Sequence, residues 1–239
     1  MLQSEDLECI TTADGSQTLF HRKLHVTYKS EHGAQQESNH IFLQGTKIQN
    51  IPNRWNILEL GFGSARNFLQ TYLLAKEQNI TLHYEALEWD PIPPDFIADV
   101  PHTAPAQQAA QTLLEQVRKK TERAEIYFGE KKHCLVIHPF SYKKTLIPRH
   151  FFHALFHDPF APNVNEESWT VEYFRWAYSV LRKDGILATY SSAGQVRRNI
   201  AQAGFYVGVT KGPGKKREMT LASAREDRIA NCKIKNRPI

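Results

Sequence analysis

Two glycines stand between a short apolar run and a helical pattern, in Glu59-Leu60-Gly61-Phe62-Gly63-Ser64-Ala65-Arg66-Asn67. A glycine turn at that place lets the backbone come close to a nucleotide-like ligand. A phosphate-cradling loop needs GxxxxGK[ST], and no Gly-Lys-Ser/Thr occurs. A dinucleotide fingerprint needs GxGxxG, but Arg66 takes the place of its third glycine. A tight turn with no ligand is the plain alternative. Glu88 closes the next apolar run, 25 residues after Gly63. A carboxylate there can accept hydrogen bonds from both ribose hydroxyls of a nucleoside. Glu85 and Asp90 compete with it for that role, and a solvated strand-end acid is the alternative reading.

The glycine turn also fits the acidic-x-Gly-x-Gly-x-Gly loop of class I methyltransferases, with Glu59, Gly61 and Gly63 in register and Ala65 for the third glycine. A second segment bears on the same chemistry. His157-Asp158-Pro159-Phe160-Ala161-Pro162 is similar to the [Asn/Asp]-Pro-Pro-[Tyr/Phe] motif of methyltransferases that modify exocyclic amines. An attacking amine must point its lone pair along the S–CH₃ bond. Asp158 could hold that line by accepting an N–H and offset the developing positive charge. Phe160 could stack on a base. A turn held by two prolines is the competing reading.

Basic residues gather late in the chain. Gly212-Pro213-Gly214-Lys215-Lys216-Arg217-Glu218-Met219 lies between two strand-like runs, and Lys211, Arg197 and Arg198 add positive charge. These side chains could meet phosphates; a solvated hairpin loop is the alternative. Lys131, Lys132, Lys143, Lys144 and Arg149 form a further basic group with less specificity. His150, His153 and His157 have helical spacing, as zinc ligands on one face could have. The surrounding Phe151, Phe152, Leu155 and Phe156 instead suit a buried strand, on which only His153 and His157 share a face. No metal is therefore expected.

The elements that must position these residues alternate. Strands are expected at Asn56–Leu60, Leu82–Leu87, Ala124–Phe128, Cys134–Ile137, Phe151–Phe156, Ile186–Tyr190, Phe205–Thr210 and Met219–Ala222. Helices are expected after Gly63, over 105–120, over 169–182 with a cap at Lys183-Asp184-Gly185, and from Ala193 to Ala203. That order specifies an open, mostly parallel α/β sheet, which binds ligands beyond the carboxyl ends of its strands. Residues 1–52 read as a β-rich N-terminal extension, with a turn at Asp14-Gly15 and strands at Leu24–Tyr28 and His40–Leu43. Residues 53–223 read as the main domain and 224–239 as a polar tail.

Composition sets the outer bounds. The chain has 239 residues, 41% of them hydrophobic and 23% charged, which suits one substantial globular domain. Its net charge of +5 permits a polyanionic partner. No apolar stretch approaches transmembrane length, and the acidic pair Glu5-Asp6 sits where a signal peptide needs basic residues. Cys9, Cys134 and Cys232 are odd in number and widely spaced, as in a reduced cytoplasmic protein.

Taken together, the motifs resemble the methyltransferase family that completes 5-methylaminomethyl-2-thiouridine at the tRNA wobble position: MnmD, and the methyltransferase half of bifunctional MnmC. The resemblance runs over roughly residues 12–223. Besides the glycine turn and Asp158–Pro162, it includes Trp169-Thr170, the run from Asp184 to Gly194, Val196-Arg197-Arg198 and Gly212–Glu218. Asp14–Leu19, His32-Gly33-Ala34 and Glu37-Ser38 complete it. It implies a Rossmann-like class I fold of seven strands, S-adenosyl-L-methionine as cofactor, and tRNA as partner, with the 5-aminomethyl group of (2-thio)uridine as methyl acceptor. It implies that Glu59, Gly61, Gly63, Asn67 and Glu88 serve the cofactor and Asp158 the methyl-transfer step. It also implies that Phe160, Lys215, Lys216, Arg217, Glu218, Arg197 and Arg198 serve the substrate. A chain of this length leaves no room for the FAD-dependent oxidase of the bifunctional proteins, so a separate wobble-uridine modification enzyme is the implied functional partner. Two departures stand out. The family's Gly-Asp-Ala after the third strand reads His138-Pro139-Phe140-Ser141, leaving Ser141 or backbone groups for the adenine. Its Tyr-His-Ser reads Tyr28-Lys29-Ser30. Two other functions compete with this one: methylation of a protein or metabolite amine, and a nucleotide- or RNA-binding scaffold without catalysis.

Overall fold

The computed structural model describes residues 2–120, 122–214 and 218–238. The Asp14-Gly15 pair turns the chain as expected, with Gly15 at φ +79° and the Thr12 N–H donating to the Ser16 carbonyl at 2.7 Å. That turn joins β1 (Leu7–Thr11) to β2 (Gln17–His21), and β3 (Val26–Thr27) completes a three-stranded antiparallel sheet. Only two residues of the expected strand Leu24–Tyr28 pair. The expected strand at His40–Leu43 is helical: α1 (Ala34–Glu37) continues into π-helical turns over Ser38–Gln44. Ile41, Phe42 and Leu43 are all buried there. A half-buried strand would turn every second residue outward, so burial of three in a row favours the helical path.

The main sheet follows from runs that are apolar on both faces, as parallel strands covered by helices require. In chain order its elements are β4 (Arg54–Leu60), α2 (Arg66–Glu77), β5 (Thr81–Leu87), α3 (Ala104–Lys120), β6 (Ala124–Phe128) and β7 (His133–His138). Then come β8 (Phe152–His157), α4 (Val171–Val180), β9 (Leu181–Thr189), α5 (Gly194–Gln202), β10 (Tyr206–Lys211), β11 (Glu218–Ser223) and β12 (Lys233–Asn236). They form a nine-stranded sheet in the order β12-β10-β11-β9-β8-β4-β5-β7-β6. All eight expected strands are in it, with β11 antiparallel to β9 and to β10. The correction is one added edge strand, β12, antiparallel to β10; the other edge, β6, was expected at Ala124–Phe128 and pairs antiparallel with β7, so the sheet has two strands more than the seven that the resemblance implies. Residues 224–239 were expected as a polar tail, but Ile229 is fully buried and Lys233–Asn236 pairs with β10.

Successive side chains of each strand serve opposite faces. Ile57 and Phe156 pack with Phe68, Leu69 and Leu113 on one side, while Leu58 and Leu155 pack with Phe174, Ala177 and Ile200 on the other. Leu2, Leu7, Leu19 and Phe42 join the first of these cores, so the N-terminal segment is built onto the sheet. The expected cap at Lys183-Asp184-Gly185 is a further correction. The helix stops at Val180 and these residues lie within β9. Gly185 serves close approach instead: a Cβ there would stand 3.0 Å from the Phe152 carbonyl oxygen, beside the register shift between β8 and β9.

The chain runs outward from β4 to β5 and β7 in one direction and from β8 to β9 in the other. The crevice at that reversal, beyond the carboxyl ends of β4 and β8, is where such sheets hold ligands.

Candidate active site

β4 ends at Leu60 and the chain must reverse into α2. Gly61 does so at φ +85° and Gly63 at φ +49°. A Cβ on Gly61 would stand 2.6 Å from the Asp158 carbonyl oxygen, and one on Gly63 would stand 2.9 Å from the Tyr28 ring. The Asp158 N–H donates to the Leu60 carbonyl at 3.0 Å, which ties the ends of β4 and β8 together. The result is a bare-backbone cradle opening into a cavity of about 850 Å³, a volume typical of small-molecule sites. Gly61, Gly63, Glu88, Asp158 and Phe160 line it, and Tyr28 and Lys29 cover it from the N-terminal segment.

Glu88 is half-buried at the end of β5. Its carboxylate accepts the Gly63 N–H at 2.9 Å and the Asp90 N–H at 3.1 Å. Burial raises its pKa above the usual carboxylate value, with the two backbone donors opposing that rise. Of its competitors, Asp90 also lines the cavity and takes the Leu2 N–H at 2.9 Å. Glu85 does not. It sits 2.8 Å from both His138 Nε2 and His83 Nε2. Burial alone would raise its pKa, but the hydrogen bonds to the two histidines bring it down to about 2.

Asp158 belongs to a buried network. Its Oδ2 pairs with Lys29 Nζ and accepts from Asn67 Nδ2 at 2.9 Å. Lys29 Nζ also donates to Asn67 Oδ1 at 2.9 Å. Asn67 Nδ2 lies 2.6 Å from Glu59 Oε1, and the Tyr84 hydroxyl donates to Glu59 Oε2 at 2.8 Å. Glu59 and Asn67 therefore stand behind the cavity wall and steady Asp158. Beside Asp158, Phe160 meets Tyr28 edge-on at 5.0 Å between ring centroids, and the Tyr190 hydroxyl donates to the Pro159 carbonyl at 2.9 Å.

Burial pushes the Glu59 pKa up to about 8. The folded protein then holds a proton that the unfolded chain releases near pH 4.5. Stability should fall as pH rises between those values, by about 1.4 kcal/mol per pH unit from this one group. Glu59→Gln should flatten that slope, raising the melting temperature at pH 8 and not at pH 5. Calorimetric melting across that range would show it; an equal change at both pH values would refute it.

Other expected site residues lie elsewhere. Ser141 does not line the cavity. It caps the turn Tyr142–Lys144 and donates to Glu167 Oε1 at 3.2 Å, and Glu167 is the residue that reaches the cavity wall. Arg197 donates to the Ser192 carbonyl at 2.6 Å and lies 3.7 Å from Glu218, while Arg198 donates to Gln195. Neither arginine lines the cavity. Lys215, Lys216 and Arg217 fall outside the described residues. His157 is fully buried, and burial lowers its pKa to about 3. The ring is thus neutral: Nε2 donates to the Ser168 carbonyl at 2.8 Å, and Nδ1 faces the Thr189 hydroxyl. His153 Nδ1 accepts the Asn56 N–H at 3.0 Å. Sequence reasoning overlooked Lys29 as a site residue. Its signal was there, a lysine next to a covering aromatic, but it was visible only as a departure from a family pattern.

A sequence family described as S-adenosyl-L-methionine-dependent methyltransferase matches residues 104–225, just over half of the chain. The chain is 28% identical over 214 residues to the tRNA 5-methylaminomethyl-2-thiouridine biosynthesis bifunctional protein MnmC of Nitrosospira multiformis. That alignment covers 84% of this chain and 34% of that protein. Identity to the protein of the same name from Cupriavidus necator is 31% over 214 residues, with 83% and 32% covered. The chain thus spans about a third of the length of the curated relatives it matches. The structure of MNMC2 from Aquifex aeolicus superposes with a TM-score of 0.75 at 25% identity, covering 94% of this chain and 75% of that one. Spermidine synthase from Thermotoga maritima, at 14% identity and a TM-score of 0.58, covering 95% and 72%, shares the fold. With the glycine cradle at the sheet's switch point and a family match across the second half of the chain, the chain belongs to the S-adenosyl-L-methionine-dependent methyltransferases.

Proposed function

We propose that the protein methylates the 5-aminomethyl group of wobble (2-thio)uridine in tRNA, using S-adenosyl-L-methionine. The observation that carries this reading is Asp158-Pro159-Phe160 in the same cavity as the glycine cradle, in a chain similar to the MnmC proteins. The residues fit the cofactor. At Gly61 and Gly63 a side chain would run into the Asp158 backbone and the Tyr28 ring, so this turn on the cavity wall keeps its shape only with bare backbone. Glu88 offers a half-buried carboxylate, held by two backbone N–H groups, to ribose hydroxyls. When bound, the cofactor supplies a methyl group on a sulfonium, which leaves as a neutral thioether once an amine lone pair takes the methyl.

The chain's own residues do the rest. Asp158 accepts an N–H of the acceptor amine and fixes the direction of its lone pair. Phe160, braced by Tyr28, offers a ring face or edge to the base. The basic residues proposed to meet tRNA phosphates are Arg197 and Arg198 of α5 and, by sequence, Lys215, Lys216 and Arg217. The aminomethyl group must already be on the uridine when this step begins. The reading places the protein with its tRNA in the cytoplasm; among the described residues no helix is long and apolar enough to cross a membrane.

The test is methyl transfer from labelled cofactor to tRNA carrying 5-aminomethyluridine at the wobble position, with unmodified tRNA as control. Label in the aminomethyl tRNA alone is the expected result, with an affinity that falls steeply with salt. Label in a small amine or a protein instead would redirect the substrate assignment. Glu88→Ala should weaken S-adenosylhomocysteine binding about 10- to 100-fold, the worth of charge-assisted hydrogen bonds. Titration calorimetry measures it, and an unchanged affinity would remove Glu88 from the ribose site.

A further inference from the structure

Lys29 is a buried cation in contact with the acid that the methyl-transfer step needs. Its side chain is 7% exposed and that of Asp158 is 6% exposed. The ammonium pairs with Asp158 Oδ2, bonds Asn67 Oδ1 at 2.9 Å, and lies 4.7 Å from the centroid of the Phe42 ring. Three elements therefore fix its position: β8 through Asp158, α2 through Asn67, and the π-helical turns through Phe42.

An uncompensated carboxylate at this place would work against the reaction. A negative charge within a few ångströms of an amine favours its ammonium form. An ammonium has no lone pair and cannot attack. The orienting acid would thus hold its substrate in the unreactive state. We propose that Lys29 is a positioning residue that cancels the charge of Asp158, so that the acceptor amine gives up its proton to solvent while Asp158 still orients it. This inference rests on the proposed amine methylation.

The other ionisable groups around the pair are compatible with this role. Glu59 from β4 is largely protonated at neutral pH, because burial raises its pKa to about 8. Burial likewise raises the phenols of Tyr84 from β5, Tyr28 next to Lys29, and Tyr190 after β9, so all three stay neutral. Glu88 is occupied by two backbone donors. Glu37 at the end of α1 is buried, and its charge adds to the rise of the Tyr190 phenol.

The experiment compares pH–rate profiles of wild type, Lys29→Gln and Lys29→Arg at saturating cofactor, on 5-aminomethyluridine tRNA. Lys29→Gln should move the acid limb upward by about one pH unit or more, a tenfold loss of rate below the limb. Its rate should recover toward wild type in alkaline buffer. Lys29→Arg, which keeps the charge, should restore the limb. Titration with S-adenosylhomocysteine checks that the glutamine variant is folded. A uniform loss at every pH, or an unmoved limb, would overturn the proposal and leave Lys29 a packing residue. If wild type labels another primary amine and not this tRNA, the substrate assignment fails alone, and the same profiles are read on that amine. If it labels no primary amine in a panel while still binding the cofactor, both readings fail.

Discussion

Asp158→Asn should reduce methyl transfer by about three orders of magnitude, the scale seen when one preorganised transition-state contact is lost. The asparagine keeps the shape of the side chain and its place at the end of β8. It loses the carboxylate oxygen that accepts the amine N–H and aims its lone pair, and it can present an N–H where an acceptor is needed. Cofactor affinity should change only a few-fold, because Gly61, Gly63 and Glu88 are untouched. Asp158→Ala should be at least as inactive. Both variants leave Lys29 without its counter-ion, and stripping one partner from a buried pair costs up to about 3–5 kcal/mol. Both groups border the cavity, so water can reach them and the cost should be smaller. Lys29→Met added to Asp158→Asn should therefore recover melting temperature without recovering turnover. That contrast separates lost catalysis from lost stability. Near-normal turnover in Asp158→Asn would remove the carboxylate from the reaction.

The parallel strands were legible because burial on both faces leaves an unmistakable apolar run, as in Asn56–Leu60 and Leu82–Leu87. The glycine turn was legible for a related reason: only a residue without a Cβ can sit where Gly61 does, and the sequence shows it directly. What failed were the places where tertiary contact decides. Ile41, Phe42 and Leu43 look like a strand in isolation, but the core takes all three and the chain coils to deliver them. Asp184-Gly185 looks like a helix cap, but the glycine is there because β8 passes close by. β12 is a short, polar edge strand whose residues carry no alternation strong enough to announce it. In the site, Glu59 and Asn67 were expected to serve the cofactor, Glu59 as the acid of the glycine loop and Asn67 through the family resemblance; their link to Asp158 was not visible. They reach Asp158 through side-chain hydrogen bonds across eight and ninety-one positions of sequence, which no spacing rule encodes. Lys29 lay further still from the reach of pattern, 129 residues from its partner.

Gly61→Ala should be among the most damaging single-methyl changes in the protein, and Gly15→Ala shows why the comparison is informative. Both glycines have a left-handed backbone, φ +85° and φ +79°. Either alanine therefore meets the conformational penalty of about 1–2 kcal/mol. At Gly15 nothing lies within 4 Å of the added Cβ, so that penalty is the whole effect. At Gly61 the Cβ would stand 2.6 Å from the Asp158 carbonyl oxygen and 3.4 Å from Pro159 Cα. Both neighbours are backbone, and the Asp158 N–H is already bonded to Leu60. Relief requires β4 and β8 to separate at their carboxyl ends, where the cradle and Asp158 are held together. The expected cost is about 2–4 kcal/mol beyond that of Gly15→Ala, with overpacking supplying most of it. At roughly 2–4 °C per kcal/mol for a chain of this size, the melting temperature should fall by about 10 °C relative to the Gly15 variant. S-adenosylhomocysteine binding should weaken more than tenfold in the Gly61 variant and stay unchanged in the Gly15 variant. Calorimetric melting and titration of the two proteins side by side decide the matter. Equal melting temperatures with equal affinities would mean that the Leu60–Asp158 junction yields freely, and that the cradle does not depend on the contact between these strand ends.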